Sequence, residues 1–143
     1  MQLTPHFSLE ELTVTSHKKY QELNLSDAKA NIGKMYFLAG FCEAIREIIG
    51  RPMIISSGYR CPELNKAVGG TLFSQHQLAE AVDFTCKTLQ PKTLFDRIRK
   101  SGLKYEQLIL EQNKDGSKKW VHVSIGSRKQ CLSYDGIKYT EMK

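Results

Sequence analysis

No stretch of this chain reaches the ~18 consecutive apolar residues that a membrane-spanning helix needs, so no membrane span is predicted. Its opening, Met1-Gln2-Leu3-Thr4-Pro5-His6-Phe7, lacks the basic start and long apolar run of a secretory leader. Cysteines are few and dispersed. Cys42, Cys61, Cys86 and Cys131 form no CxxC pair, which argues against a cysteine-built metal knuckle. Cys42 falls within a helical apolar pattern and reads as a small buried hydrophobe, and free thiols are expected rather than bridges. Internal repeats and low-complexity linkers are absent. The lysines are scattered, with one loose cluster at Lys114, Lys118 and Lys119, so no specific nucleic-acid partner is expected.

What is present fits one domain over residues 1–143, expected to be a monomer. Hydrophobic residues make up 41% and charged residues 25%, the balance of a globular chain with a real core. A chain of this size buries roughly two thirds of its unfolded surface, so it can fold without disulfides. The net charge of +6 suits either an anionic partner or simple solvated charge.

Local patterns give an α+β order. Ser8-Leu9-Glu10-Glu11 has the form of a capping box, predicting a short helix from about residue 9. Ser26 is read as the N-cap of a long helix through Met35, Leu38, Phe41, Cys42, Ile45, Ile48 and Ile49, which Gly50 ends. Met53–Ser57 reads as a buried strand, Glu63–Val68 as a helical turn, and residues 71–80 as a loop or short helix. Glu80–Cys86 alternates as a strand, and Gln90–Lys100 forms an amphipathic helix through Leu94, Phe95 and Ile98. Glu106–Glu111 and Trp120–Ile125 read as hairpin arms around Asn113–Ser117, with a second hairpin signal at Tyr134-Asp135-Gly136. His6 and His17 lie outside any ligand-like spacing and are expected at the surface.

Polar chemistry concentrates in Ser74–Asp83 and Trp120–Ser124. Asp83 lies between Val82 and Phe84, and His122 between Val121 and Val123. Ionisable groups on apolar strands are costly unless paired or coordinated. Strand alternation lets Asp83 and His122 face one side while the valines fill the other. With His76 they offer two imidazoles and a carboxylate, a three-ligand set that leaves a fourth tetrahedral position open. A satisfied core histidine is the competing reading for either ring.

Ser57-Gly58-Tyr59-Arg60, Asn65, Val68-Gly69-Gly70, Ser74-x-His76-x-x-x-x-Ala81-x-Asp83 and Trp120-x-His122 resemble, in order and spacing, peptidase family M15. That family comprises zinc D-Ala-D-Ala carboxypeptidases and related peptidoglycan endopeptidases, phage endolysins among them. The resemblance runs from about residue 8 to residue 125. It implies a small, mostly antiparallel sheet flanked by helices, the fold shared with the hedgehog signalling domain. It further implies Zn2+ on His76, Asp83 and His122, with Arg60 binding substrate and stabilising the oxyanion as a permanently charged donor. Tyr59 and Ser74 join the expected substrate-binding set, although Ser74 suits a turn cap equally well.

Two positions depart from the family pattern. Ala79 stands where the family has glycine, which a left-handed turn would strain. Lys119 stands three residues before His122, where many members place a carboxylate general base, and a lysine is ill suited to that task. Glu111 is the substitute read from the hairpin. With an even-length turn it projects from the same face as His122, one diagonal step away. An exposed edge carboxylate paired to a loop lysine is the plainer reading; Asp115 and Glu106 are weaker alternatives.

The implied function is zinc-dependent hydrolysis of peptidoglycan stem or cross-bridge peptides. The implied place of action is the cell wall, reached by phage-type release from the cytoplasm or by another export route. A zinc-containing wall-binding module with impaired turnover is the alternative.

Overall fold

The computed structural model describes Met1–Lys143. In chain order its elements are strands β1 (Gln2–Thr4) and β2 (Phe7–Ser8), helix α1 (Leu9–Leu12) and a 3-10 turn at Lys18–Tyr20. Helices α2 (Gln21–Ala30) and α3 (Ile32–Ile49), strand β3 (Ile54–Ser57), helix α4 (Pro62–Ala67), strand β4 (Ala81–Thr85) and helix α5 (Pro91–Lys100) follow. Strands β5 (Gln107–Gln112), β6 (Lys119–Ser124), β7 (Gln130–Tyr134) and β8 (Tyr139–Glu141) complete the fold. The class is α+β, with a two-stranded sheet β1-β2 and a six-stranded sheet ordered β3-β4-β6-β5-β7-β8. No helix is long and apolar enough to cross a membrane. All four cysteines are free thiols.

One difference from the sequence expectations has a clear cause. The long helix does not begin at Ser26, which lies inside α2. The break falls at Asn31, whose Nδ2 turns back to the Asp27 carbonyl at 3.0 Å while its own carbonyl accepts from Lys34 at 3.0 Å. A short amide side chain that competes for backbone partners can restart a helix in this way. The main sheet keeps the expected antiparallel majority across β5 to β8 and is mixed through one parallel pair. β5 pairs antiparallel with β6 and parallel with β7, and β7 returns antiparallel to β8.

Contacts divide the chain into two compact units, Met1–Ala44 with Ile55–Val82, and Ile45–Ile54 with Asp83–Lys143. In the first, the Ser8 capping box forms as expected, Ser8 Oγ accepting from Glu11 N at 3.1 Å. Its core gathers Phe7, Leu9, Leu12, Met35, Leu38, Cys42 and Leu64.

In the second, α5 buries Leu94, Phe95 and Ile98 completely and packs against β5 and β6. Burial of these three side chains contributes ~1.5–3 kcal/mol each. On these strands Leu108, Val121 and Val123 share one face and are fully buried. Because alternate residues face opposite ways, Ile109, Glu111, Trp120 and His122 are left on the other face.

Candidate metal centre

His76 lies in a run of turns and is only 4% exposed. Its Nδ1 is 2.7 Å from the Gly58 carbonyl oxygen. A carbonyl only accepts, so Nδ1 carries the proton and Nε2 keeps the lone pair available for a metal. The backbone around the ring is tied from several sides. Ser74 Oγ accepts from His76 N at 3.2 Å and from Arg60 Nη2 at 3.4 Å, and Arg60 N donates to the His76 carbonyl at 3.1 Å. Ser74 thus caps this turn.

The glycine motifs quoted above hold this loop rather than touch its chemistry. Asn65 Nδ2 donates to the Thr71 carbonyl at 2.7 Å and to Gln77 Oε1 at 3.0 Å, while Gly70 N donates to the Asn65 carbonyl at 2.8 Å. A Cβ on Gly70 would lie 2.1 Å from Asn65 Oδ1, so any larger residue there would displace the Asn65 amide. Gly58 is confined in the same manner, since a Cβ there would approach the Leu12 carbonyl to 2.4 Å.

Asn24 is fully buried and locks residues 59–61. It donates to Thr13 O at 2.9 Å and to Tyr59 O at 3.0 Å, and accepts from Cys61 N at 2.8 Å. Tyr59 is buried, and its hydroxyl donates to the Asp27 carboxylate. Burial, and then that carboxylate, push its phenol pKa upward. Neither Asn24 nor the Gly58 carbonyl stands out in the sequence: the partners of Asn24 are backbone groups distant along the chain, and a backbone carbonyl carries no residue-type signal.

Asp83 and His122 stand on β4 and β6, neighbours in the sheet. Asp83 Oδ1 lies 2.8 Å from His122 Nδ1, with side chains 18% and 12% exposed respectively. One ligand atom from each of His76, Asp83 and His122 falls within 4.8 Å of the other two. Tetrahedral coordination at ~2.0–2.2 Å places ligand atoms roughly 3.3–3.6 Å apart. Two nitrogens and one carboxylate oxygen suit a borderline divalent ion. The cluster can hold a metal.

Ala79 adopts a φ of 60° and is 2% exposed. Its amide closes the turn onto the His76 carbonyl at 3.2 Å. A left-handed L-residue costs ~1–2 kcal/mol, most of which glycine avoids. Ala79→Gly is expected to stabilise the protein by about 1 kcal/mol, raising Tm by about 3 °C with bound metal unchanged. An unchanged or lower Tm would show that the turn bears no such strain.

The β5–β6 register sets Glu111 opposite Trp120 and Ile109 opposite His122. Glu111 therefore shares a face with His122, one diagonal step away, across the even-length loop of residues 113–118. Lys119 is odd-numbered on β6, so its exposed side chain leaves by the other face. Asp115 is in that loop, bonded to Ser117 N at 2.9 Å, and Glu106 pairs with Arg128 at 3.3 Å. The register also sets Glu111 opposite Tyr134, and Tyr134 opposite Tyr139. The residue pattern marks Tyr134 only as part of a hairpin turn and gives Tyr139 no role.

The family model described as peptidase M15 matches residues 5–124. The chain belongs to peptidase family M15. Among curated proteins, none matches it. The matched stretch takes in every element from β2 through β6, and with them His76, Asp83, His122, Arg60 and Glu111; β7 and β8 lie beyond it. As an M15 peptidase the protein is a hydrolase of peptide bonds, and its His-Asp-His cluster fits the metal dependence general to the family.

Proposed function

We propose that this M15 peptidase is a zinc enzyme that hydrolyses peptide bonds of peptidoglycan stems or cross-bridges, as a D-Ala-D-Ala carboxypeptidase or an endolysin-type endopeptidase. The observation that carries the reading is the convergence of His76, Asp83 and His122 ligand atoms within 4.8 Å in a chain of this family. Zinc, when bound, supplies a Lewis acid that acidifies water toward pKa ~7 and polarises a carbonyl. Gly58 holds the His76 ring and its tautomer, fixing which nitrogen faces the ion. Glu111 takes the proton of the attacking water and returns it to the leaving amine. Arg60, whose amide is bonded to the His76 carbonyl, offers its guanidinium to the oxygen of the scissile carbonyl.

The peptidoglycan assignment rests on the ordered motifs from Ser57 to His122, and the +6 charge favours an anionic wall. The enzyme meets that wall after phage-type release from the cytoplasm or by another export route. The test is digestion of purified peptidoglycan by the zinc-loaded protein, followed by mass spectrometry of the fragments. New amine and carboxylate termini are expected, and their positions name the bond cut. Their absence would overturn the enzyme reading. Lys119, in the place of the usual base, favours one alternative: a wall-binding module, seen as co-sedimentation with peptidoglycan without hydrolysis.

A further inference from the structure

The main sheet carries one lateral row of side chains on the face that bears His122. Register pairs Trp120 on β6 with Glu111 on β5, Glu111 with Tyr134 on β7, and Tyr134 with Tyr139 on β8. Residues directly opposite across strands share a face, so all four side chains leave the sheet on the same side. Adjacent strands are ~4.8 Å apart, which sets Tyr134 about 5 Å and Tyr139 about 10 Å sideways from Glu111. The two tyrosine rings lie against each other, centroids 4.4 Å apart and tilted by 31°. Asp135 fixes the turn that joins their strands, its Oδ1 accepting from Ile137 N at 2.9 Å and Lys138 N at 2.8 Å.

This pair is not a core element. Tyr139 is 56% exposed and Tyr134 is partly exposed, so much of their ring surface is open to a ligand. Burial of the rest, and then the charges of Glu111, Tyr134 and Asp83, push the Tyr139 phenol pKa upward, keeping its hydroxyl a donor. A protonated phenol beside carboxylates suits an acceptor brought in by a ligand, such as a carbonyl or a terminal carboxylate. The aromatic faces suit flat peptide groups and short apolar side chains.

We infer that Tyr134 and Tyr139 form the wall that receives the leaving-amine side of the peptide substrate, just beyond Glu111. The direction follows from the row itself. Glu111 must deliver its proton to the leaving nitrogen, and the next side chain beyond it, away from Trp120, is Tyr134. Extended peptide advances ~3.3 Å per residue, so the wall spans about three residues past the cut. Both tyrosines are positioning residues supplied by strands outside the family match, so they set how this particular chain grips its substrate. The inference rests on the peptidase reading above.

The test is steady-state hydrolysis of a synthetic stem peptide by the zinc-loaded protein and by Tyr134→Ala, Tyr139→Ala and Tyr139→Phe. Each alanine variant is expected to raise KM about three- to tenfold, with kcat within about twofold of the unsubstituted protein. Tyr139→Phe should recover most of the ring contribution and isolate that of the hydroxyl. Metal content and Tm serve as folding controls, and Tyr139→Phe keeps the test valid should an alanine variant fail to fold. KM unchanged in folded, metal-loaded variants would overturn the wall while leaving the peptidase reading intact. No hydrolysis by the unsubstituted protein would overturn that reading and this inference with it.

Discussion

Glu111→Gln is expected to lower kcat by ~10²–10⁴-fold, the loss typical of a missing general base. The amide keeps the size and register of the carboxylate, so KM, bound metal and Tm should stay near their original values. That combination, a kcat defect without a binding defect, marks a group acting in the transition state rather than one that holds substrate. The geometry behind the expectation is the diagonal placement of Glu111 and His122 on one sheet face, with Lys119 turned to the other. Residual activity above about a tenth of the original would move the base elsewhere, with Glu106 and Asp115 the next carboxylates to examine.

Stripping the metal with a chelator is expected to abolish hydrolysis, and readdition of Zn2+ to restore it. Stability should follow. An ion that binds only the folded chain stabilises it by about 4 kcal/mol when free metal exceeds Kd a thousandfold, equivalent to a Tm fall of about 10 °C on chelation. His76→Ala should reproduce both effects, because it removes a ligand while leaving the Asp83–His122 contact at 2.8 Å in place. A chelated protein with unchanged Tm and activity would exclude a metal role for the cluster. Elemental analysis of the restored enzyme identifies the ion.

Much of this was legible in the residues, and the boundary is physical. α5 could be read because Leu94, Phe95 and Ile98 repeat at helical spacing and are all buried. The β5–β6 hairpin could be read because turn chemistry and alternation are local. Its parity alone put Glu111 and His122 on one face. The restart at Asn31 was hidden because Ser26 offered an equally good local cap. The β5–β7 parallel pair was hidden for a deeper reason: strands apart in sequence choose partners by packing, leaving no periodic trace. The tyrosine row depends on that pair, so it too could not be seen from spacing. The candidate ligand residues emerged from ordered motifs, whereas the Gly58 carbonyl that orients His76 is a backbone atom any residue type would present.

Strand β8 forms one rim of the six-stranded sheet, and its three residues are all exposed. A rim of that kind is where β proteins risk templating onto one another and aggregating. Here the ladder on offer is only three residues long, and Lys138 brings a cation to its entrance. Both features are among the devices that discourage strand-to-strand stacking. The hairpin can therefore keep aromatic surface open toward solvent without making the sheet adhesive.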